Sequence, residues 1–343
     1  MAGIGVLAVL LFGAPIIGQG VKNGLALCAN VVIPSLFVFF CVCYWASASG
    51  LLFTLSGRLR RLFALLLGNG RQGGIALLMG ILGGYPLGAA SLKECFLAGA
   101  VTKKQAKQLA LGVFFPSPAF AVSAVGVGLY QSAEAGLLLW SSACLPALVM
   151  TCFLGWLIKQ PPMVNTRLRL RESNGFFGGL EQACSTMLHV CALVVLGRVA
   201  LQLLDCFSLP SYARLIGSAV LEVTNGCAEL KPYGLPLVAA AMGFGGVSTH
   251  LQMKGILGEL MPAYPLYCGM RLVQAASAYG IARLLCLWFP RVVPTFGSGT
   301  PMVVTSPSYL PAAAVVITCF VFLGWFEHTS EKRSLKNEKP SIC

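Results

Sequence analysis

The sequence predicts an all-α polytopic membrane protein of two inverted repeats, each with a re-entrant helical hairpin. Three observations carry this expectation. Hydrophobic residues make up 57% of the 343 residues and charged residues only 10%, against about 25% in ordinary soluble chains; the mean hydropathy is +0.80. A soluble globule of this size could not cover its surface with so few charges. Next, two apolar stretches are interrupted by glycine clusters, one at Gly83, Gly84 and Gly88 around Pro86, the other at Gly243, Gly245 and Gly246. Finally, the elements in each half come in one order: span, amphipathic segment, glycine-broken hairpin, proline-broken span. Met79-Gly80-Ile81-Leu82-Gly83-Gly84 reads against Ala241-Met242-Gly243-Phe244-Gly245-Gly246, an offset of 162.

The N-terminus is apolar but has no basic leader, so residues 1–23 read as a first span rather than a cleaved signal. Repeat 1 covers 24–158. It opens with a span at 30–53, followed by Leu55–Leu67, where Arg58, Arg60 and Arg61 among leucines predict a helix lying on the membrane surface. Each apolar half of 73–99 is too short to cross a core that needs about 20 residues, so a hairpin is expected there. A span at 109–130 is broken by Pro116-Ser117-Pro118, and an unbroken span follows at 135–158.

Residues 159–176 form a basic loop, placed on the cytoplasmic side by the positive-inside tendency. Repeat 2 covers 177–290: a span at 177–204, an interfacial segment at 209–227, a hairpin at 235–258, and a span at 262–289 broken early by Pro262 and Pro265. A last span at 304–326 leads to a charged tail at 327–343. If 209–227 lies on the surface, the second hairpin enters from outside and the repeats are inverted, which leaves the tail outside. If it spans, the tail is inside and the inversion is lost. The inverted arrangement is preferred because the tail's net charge is small.

The formal charge of +13 does not indicate nucleic acid, because the basic residues sit in short bursts between apolar runs without aromatic interleaving. Fourteen cysteines form no C-x-x-C, and three histidines are dispersed. Neither a disulfide framework nor a metal site is expected. With no nucleophile–base–acid set, the protein is expected not to be an enzyme and to need no cofactor. Its expected partners are the lipid bilayer and a small-molecule substrate; a homo-oligomer is left open.

Paired interrupted segments point to a transporter's binding site. At the first tip, half-helices leave backbone groups open near Gly84, Tyr85, Pro86, Gly88 and Ser91, and the half-helix starting near Gly88 would turn its positive end toward an anion. The other reading is a tightly packed kink. The second tip supplies Gly246, Ser248, Thr249 and Gln252 as hydrogen-bonding groups, unless these satisfy only their own backbone; His250 reads more readily as structural. Ser117 sits in the proline break. Glu222 and Asn225 lie in a polar run beside apolar Ile216–Leu221, and charge near membrane depth marks a functional candidate. Arg198 and Arg271 are placed to counter an anionic substrate or to pair with a carboxylate.

The stretch Gly84-Tyr85-Pro86-Leu87-Gly88-Ala89, with Gly99, Thr102 and the helix start Lys103–Leu109, resembles the YlbJ/SpoVV-like sporulation integral membrane proteins, within the wider nucleoside-recognition Gate group. Ala124–Gly128, Leu221–Gly226 and Phe244–Ser248 fit the same family, so the resemblance covers roughly residues 24–290. It implies a multi-pass transporter used in endospore formation, moving dipicolinate across a membrane surrounding the forespore. The implied fold is similar to concentrative nucleoside transporters. Two departures make the expected site less polar: Ala90 stands where the family commonly has lysine, and Phe114–Pro118 where it has a polar run. Two alternatives remain at this point: a nucleoside or nucleobase transporter of the same fold, and a non-transporting membrane scaffold.

Overall fold

A computed structural model describes residues 13–48, 59–159, 175–207 and 210–289. The start of the first span, most of the basic loop, the last span at 304–326 and the charged tail lie outside the described residues. Every described element is helical. Three helices, Ala14–Ala46, Ala133–Trp156 and Phe176–Leu204, are long and apolar enough to cross a membrane. Large apolar side chains such as Leu25, Phe153, Phe177 and Leu188 point outward, more than half exposed, as suits a protein embedded in lipid.

Helix α1 (Ala14–Leu27) passes through a π turn at Cys28–Val32 directly into α2 (Ile33–Ala48). Separate spans at 1–23 and 30–53 were expected; residues 14–48 are instead one helical run. Gln19, Lys22 and Asn23 look like a polar loop in sequence, yet they fall on one helical face, and the Gln19 amide donates to Asn23 across one turn. Pro34 cannot donate to the turn before it, and the π turn lies where that bond would be missing.

After α3 (Arg60–Leu67) and a 3-10 turn (Gly68–Gly73) come α4 (Gly74–Gly83) and α5 (Tyr85–Leu97). Gly84 between them has φ +80° and ψ −165°, a conformation essentially reserved for glycine. The two arms fold back on each other: a Cβ on Gly88 would lie 2.9 Å from the Gly80 Cα. Helix α6 (Lys103–Leu109) begins with a capping box in which Thr102 and Gln105 satisfy each other's backbone N–H.

The expected break at 116–118 is wider than its prolines. Residues 110–118 carry no regular helix, and the helix that resumes, Ala119–Leu129, is π-wound throughout. Helix α7 (Ala133–Trp156), capped by Ser132, and α8 (Gly175–Leu204) follow. Helix α8 runs antiparallel to α1–α2, with Gly20 against Val199, Gly24 against Val195, Gly179 against Trp45, and the Tyr44 hydroxyl 2.7 Å from that of Thr186.

The interfacial segment expected at 209–227 is two helices, α9 (Ser211–Leu221) and α10 (Val223–Leu230), broken at the buried Glu222. A 3-10 turn (Lys231–Tyr233) leads to α11 (Leu235–Phe244) and α12 (Gly246–Leu257). Thus α3, a 3-10 turn, α4 and α5 recur in order as α10, a 3-10 turn, α11 and α12. Here the arms part: α11 packs on the last helix, α13 (Tyr264–Trp288), while α12 packs on α5. The early break expected in 262–289 is absent. Pro265 occupies the first turn of α13, where its missing N–H costs nothing.

Candidate functional site

The two glycine interruptions meet. The Tyr85 hydroxyl donates to the Met242 carbonyl at 2.5 Å, and Gly245 lies against the Tyr85 ring. Behind the first tip, a Cβ on Gly84 would lie 2.9 Å from the Ser117 backbone nitrogen, so tip and break touch without an intervening side chain. Behind the second, a Cβ on Gly246 would lie 3.0 Å from the Val223 nitrogen. Four interruptions of regular helix therefore converge: Gly84, residues 110–118, Glu222 and Gly245.

Between them is a half-open cleft of about 60 Å³. Its polar wall is made by Tyr85, Ser117, Glu222, Thr224, Ser248, Thr249 and Gln252; its apolar wall by Leu36, Phe40, Phe120, Val190 and Leu193. Helices α5, α10 and α12 all begin on it. First-turn N–H groups have no partner within their helix, so these starts present positive potential to the cleft.

The Glu222 carboxylate takes up one of those starts. It accepts from the backbone N–H of Thr224 at 2.9 Å and Asn225 at 2.7 Å, and only 3% of the residue is exposed. Asn225 is fully buried behind it; its amide nitrogen donates to the Val194 carbonyl at 3.1 Å, and its amide oxygen has no donor.

Of the residues singled out from sequence, Gly84, Tyr85, Pro86, Ser117, Glu222, Ser248, Thr249 and Gln252 line the cleft together. Gly88, Ser91, Asn225 and Gly246 do not. Gly88 packs on the Val113 carbonyl and on Gly80, and Gly246 seats its helix on Glu222. Ser91 is buried further along α5. His250 also lies off the cleft. Its Nε2 is 3.0 Å from the Phe244 carbonyl, capping the end of α11, and its Nδ1 is 3.3 Å from the Tyr264 hydroxyl.

Arg198 pairs with Glu229 at 2.6 Å, and Arg214 joins Glu229 to Asp205. Arg271 meets no carboxylate among the described residues. Its guanidinium donates to the carbonyls of Leu111 (2.9 Å) and Phe114 (3.3 Å), and lies 5.4 Å from the ring centres of Phe114 and Tyr267. Gln274, one turn on, donates to the carbonyls of Phe114 and Ala143. Sequence reasoning missed this role, although the signal was present: a donor pair three residues apart on a helix, and an unwound segment with carbonyls to satisfy.

No known family model and no solved structure matches the chain. A curated protein does: over 315 residues the chain is 25% identical to the sporulation integral membrane protein YlbJ of Bacillus subtilis (strain 168), a match covering 78% of this chain and 77% of that one. Of the residues that carry the resemblance, Gly84, Tyr85, Pro86, Glu222, Val223, Thr224 and Ser248 line the cleft. The chain is thus a distant homologue of this sporulation integral membrane protein, similar to it over most of both lengths.

Proposed function

We propose that the protein is a transporter of a small carboxylated or heteroaromatic solute, with dipicolinate during endospore formation as the first substrate to test. The observation that carries this reading is the meeting of two interrupted helices, from distant parts of the chain, at one partly polar cleft in a membrane protein. Interrupted helices of this kind build the central sites of secondary transporters. The starts of α5 and α12 suit a carboxylate, and Phe40 and Phe120 suit a flat ring. No covalent chemistry is part of this function. The sporulation assignment and a membrane around the forespore follow from the homologue's name and the sequence resemblance.

In this reading α3–α5 and α10–α12 are inverted repeats with re-entrant tips. The recurrence of their elements supports it, as does the antiparallel packing of α1–α2 on α8. Cys28 and Cys191 occupy nearly equivalent places before the two tips, and Cys28 Sγ approaches the Cys191 carbonyl at 3.7 Å. A two-fold relation between repeats would bring equivalent positions together in this way.

The test is thermal stability of detergent-purified protein with dipicolinate, with nucleosides, or with neither. Ligand at 100 times its dissociation constant adds about 2.7 kcal/mol to the folded state. A shift with dipicolinate alone supports the reading, and a shift with nucleosides alone replaces the substrate. No shift with either, joined to normal spore dipicolinate content in a deletion strain, refutes it in favour of a scaffold.

A further inference from the structure

The cleft wall carries one formally charged group, Glu222. No ion pair among the described residues reaches it: Arg198 is committed to Glu229, and Arg214 to Glu229 and Asp205. A carboxylate removed from water without a cation is costly, and in membrane proteins such residues mark ion and proton pathways. A proton removes that charge but leaves an O–H in need of an acceptor. Asn225 offers one. It is wholly buried, its amide oxygen has no donor, and its side chain and that of Glu222 crowd the same Gly197.

A metal ion fits less well. Hard divalent cations take six or more oxygens, and the carbonyls at the second tip are already occupied. Those of Ala241, Met242 and Phe244 accept from Gly245, Tyr85 and His250. Both Glu222 oxygens also accept backbone N–H groups.

The charge bears on the substrate. A carboxylated solute approaching the starts of α5 and α12 meets an ionised Glu222 across the cleft, and the like charges repel. A proton on Glu222 ends the repulsion, so protonation and substrate binding favour each other by linkage. The titratable and charged groups facing Glu222 are Arg198 from α8, Cys28 from the π turn and Cys227 from α10; α12 presents the uncharged Ser248 and Thr249.

We propose that Glu222 is a proton-binding residue whose protonation is coupled to substrate binding, so that a carboxylated substrate crosses with one proton. This rests on the transport reading above. The step is a reversible transfer: a proton from water on the loading side joins a Glu222 oxygen, and it returns to water on the far side when the substrate leaves.

Two measurements on the purified full chain test it. Infrared pH titration without substrate should show a protonated carboxyl C=O band that disappears in Glu222→Gln, with the variant's melting and gel-filtration profile confirming its fold. Should Gln fail to fold, Glu222→Asp takes its place, and the band should then titrate at a different pH. An unchanged band in a folded variant overturns the proton site whatever the substrate. In proteoliposomes, a one-unit pH gradient should drive about tenfold dipicolinate accumulation per coupled proton. Glu222→Gln should lose that accumulation, and whatever exchange remains should no longer depend on pH. Accumulation driven by sodium instead of pH, or retained in Glu222→Gln, overturns the coupling. A titrating band with no dipicolinate movement leaves the proton site standing and sinks the substrate assignment.

Discussion

Replacing Tyr85 by Phe tests the meeting of the two tips with a single atom. The ring stays, 9% exposed, and only the hydroxyl that donates to the Met242 carbonyl is lost. Met242 lies in the last turn of α11, where carbonyls have no helical partner, so its oxygen is left without a donor. A buried unsatisfied group of this kind costs about 1–3 kcal/mol. At about 2–4 °C per kcal/mol for a domain of 150–250 residues, the melting temperature should fall by about 2–12 °C. The comparison is Trp156→Phe, which also deletes one side-chain donor, to the Leu65 carbonyl at 3.1 Å. Trp156 is 61% exposed and closes α7, at the end of a span where interfacial water can replace that bond, so the loss should stay below about 1 kcal/mol. Melting followed with initial uptake rates in proteoliposomes separates the two. Tyr85→Phe should lower both stability and uptake, and Trp156→Phe neither. A Tyr85→Phe protein with wild-type melting and wild-type uptake would show that the tips are not joined through this hydroxyl.

Gly84→Ala forces a Cβ to within 2.9 Å of Ser117 at a backbone conformation of φ +80°; the strain alone is about 1–3 kcal/mol. Little protein should reach the membrane, and normal expression would refute the packing at that tip. Ser248→Ala and Asn225→Ala are expected to impair uptake at normal protein levels, as immunoblots of membranes beside uptake assays will show. Loss of the protein itself would assign these residues to folding. Glu229→Gln takes the shared partner from Arg198 and Arg214. Partial exposure reduces the loss from the buried-pair range to about 1–3 kcal/mol. Melting of the purified variant should fall, and an unchanged melting temperature would show that this cluster does not tie α8, α9 and α10 together.

The glycine tips and the proline break were legible in the sequence because glycine and proline act locally. Gly84 supplies the positive φ that the tip requires, and Pro116-Ser117-Pro118 cannot sit inside a regular helix. Eight of the twelve residues singled out from the sequence line one cleft, Glu222 among them from its polar run and the rest from the tips and the break. The four that do not are mostly explained by packing, which no local signal reports. Gly88 lacks a side chain because Gly80 and the Val113 carbonyl fill the space. The helix through Gln19–Asn23 was illegible for a different reason: polar residues in an apolar run look alike in a loop and on an exposed helical stripe. Arg271 shows the same limit from the other side. Its partners are the Leu111 and Phe114 carbonyls; the proline break signals that carbonyls nearby are free, but not which side chain reaches them.

The antiparallel seam between α1–α2 and α8 is closed by glycines near both ends, Gly20 and Gly24 at one and Gly179 at the other. Between lipid-embedded helices no water is expelled on contact, so such a seam coheres by dispersion across close backbones. Its strength therefore does not fade on cooling as burial from water does. Salt also leaves it untouched, whereas the exposed Lys103–Glu259 pair joining α6 to the turn after α12 weakens as ionic strength rises. Cold and salt should thus loosen the molecule at its aqueous rim while this helix pair stays intact.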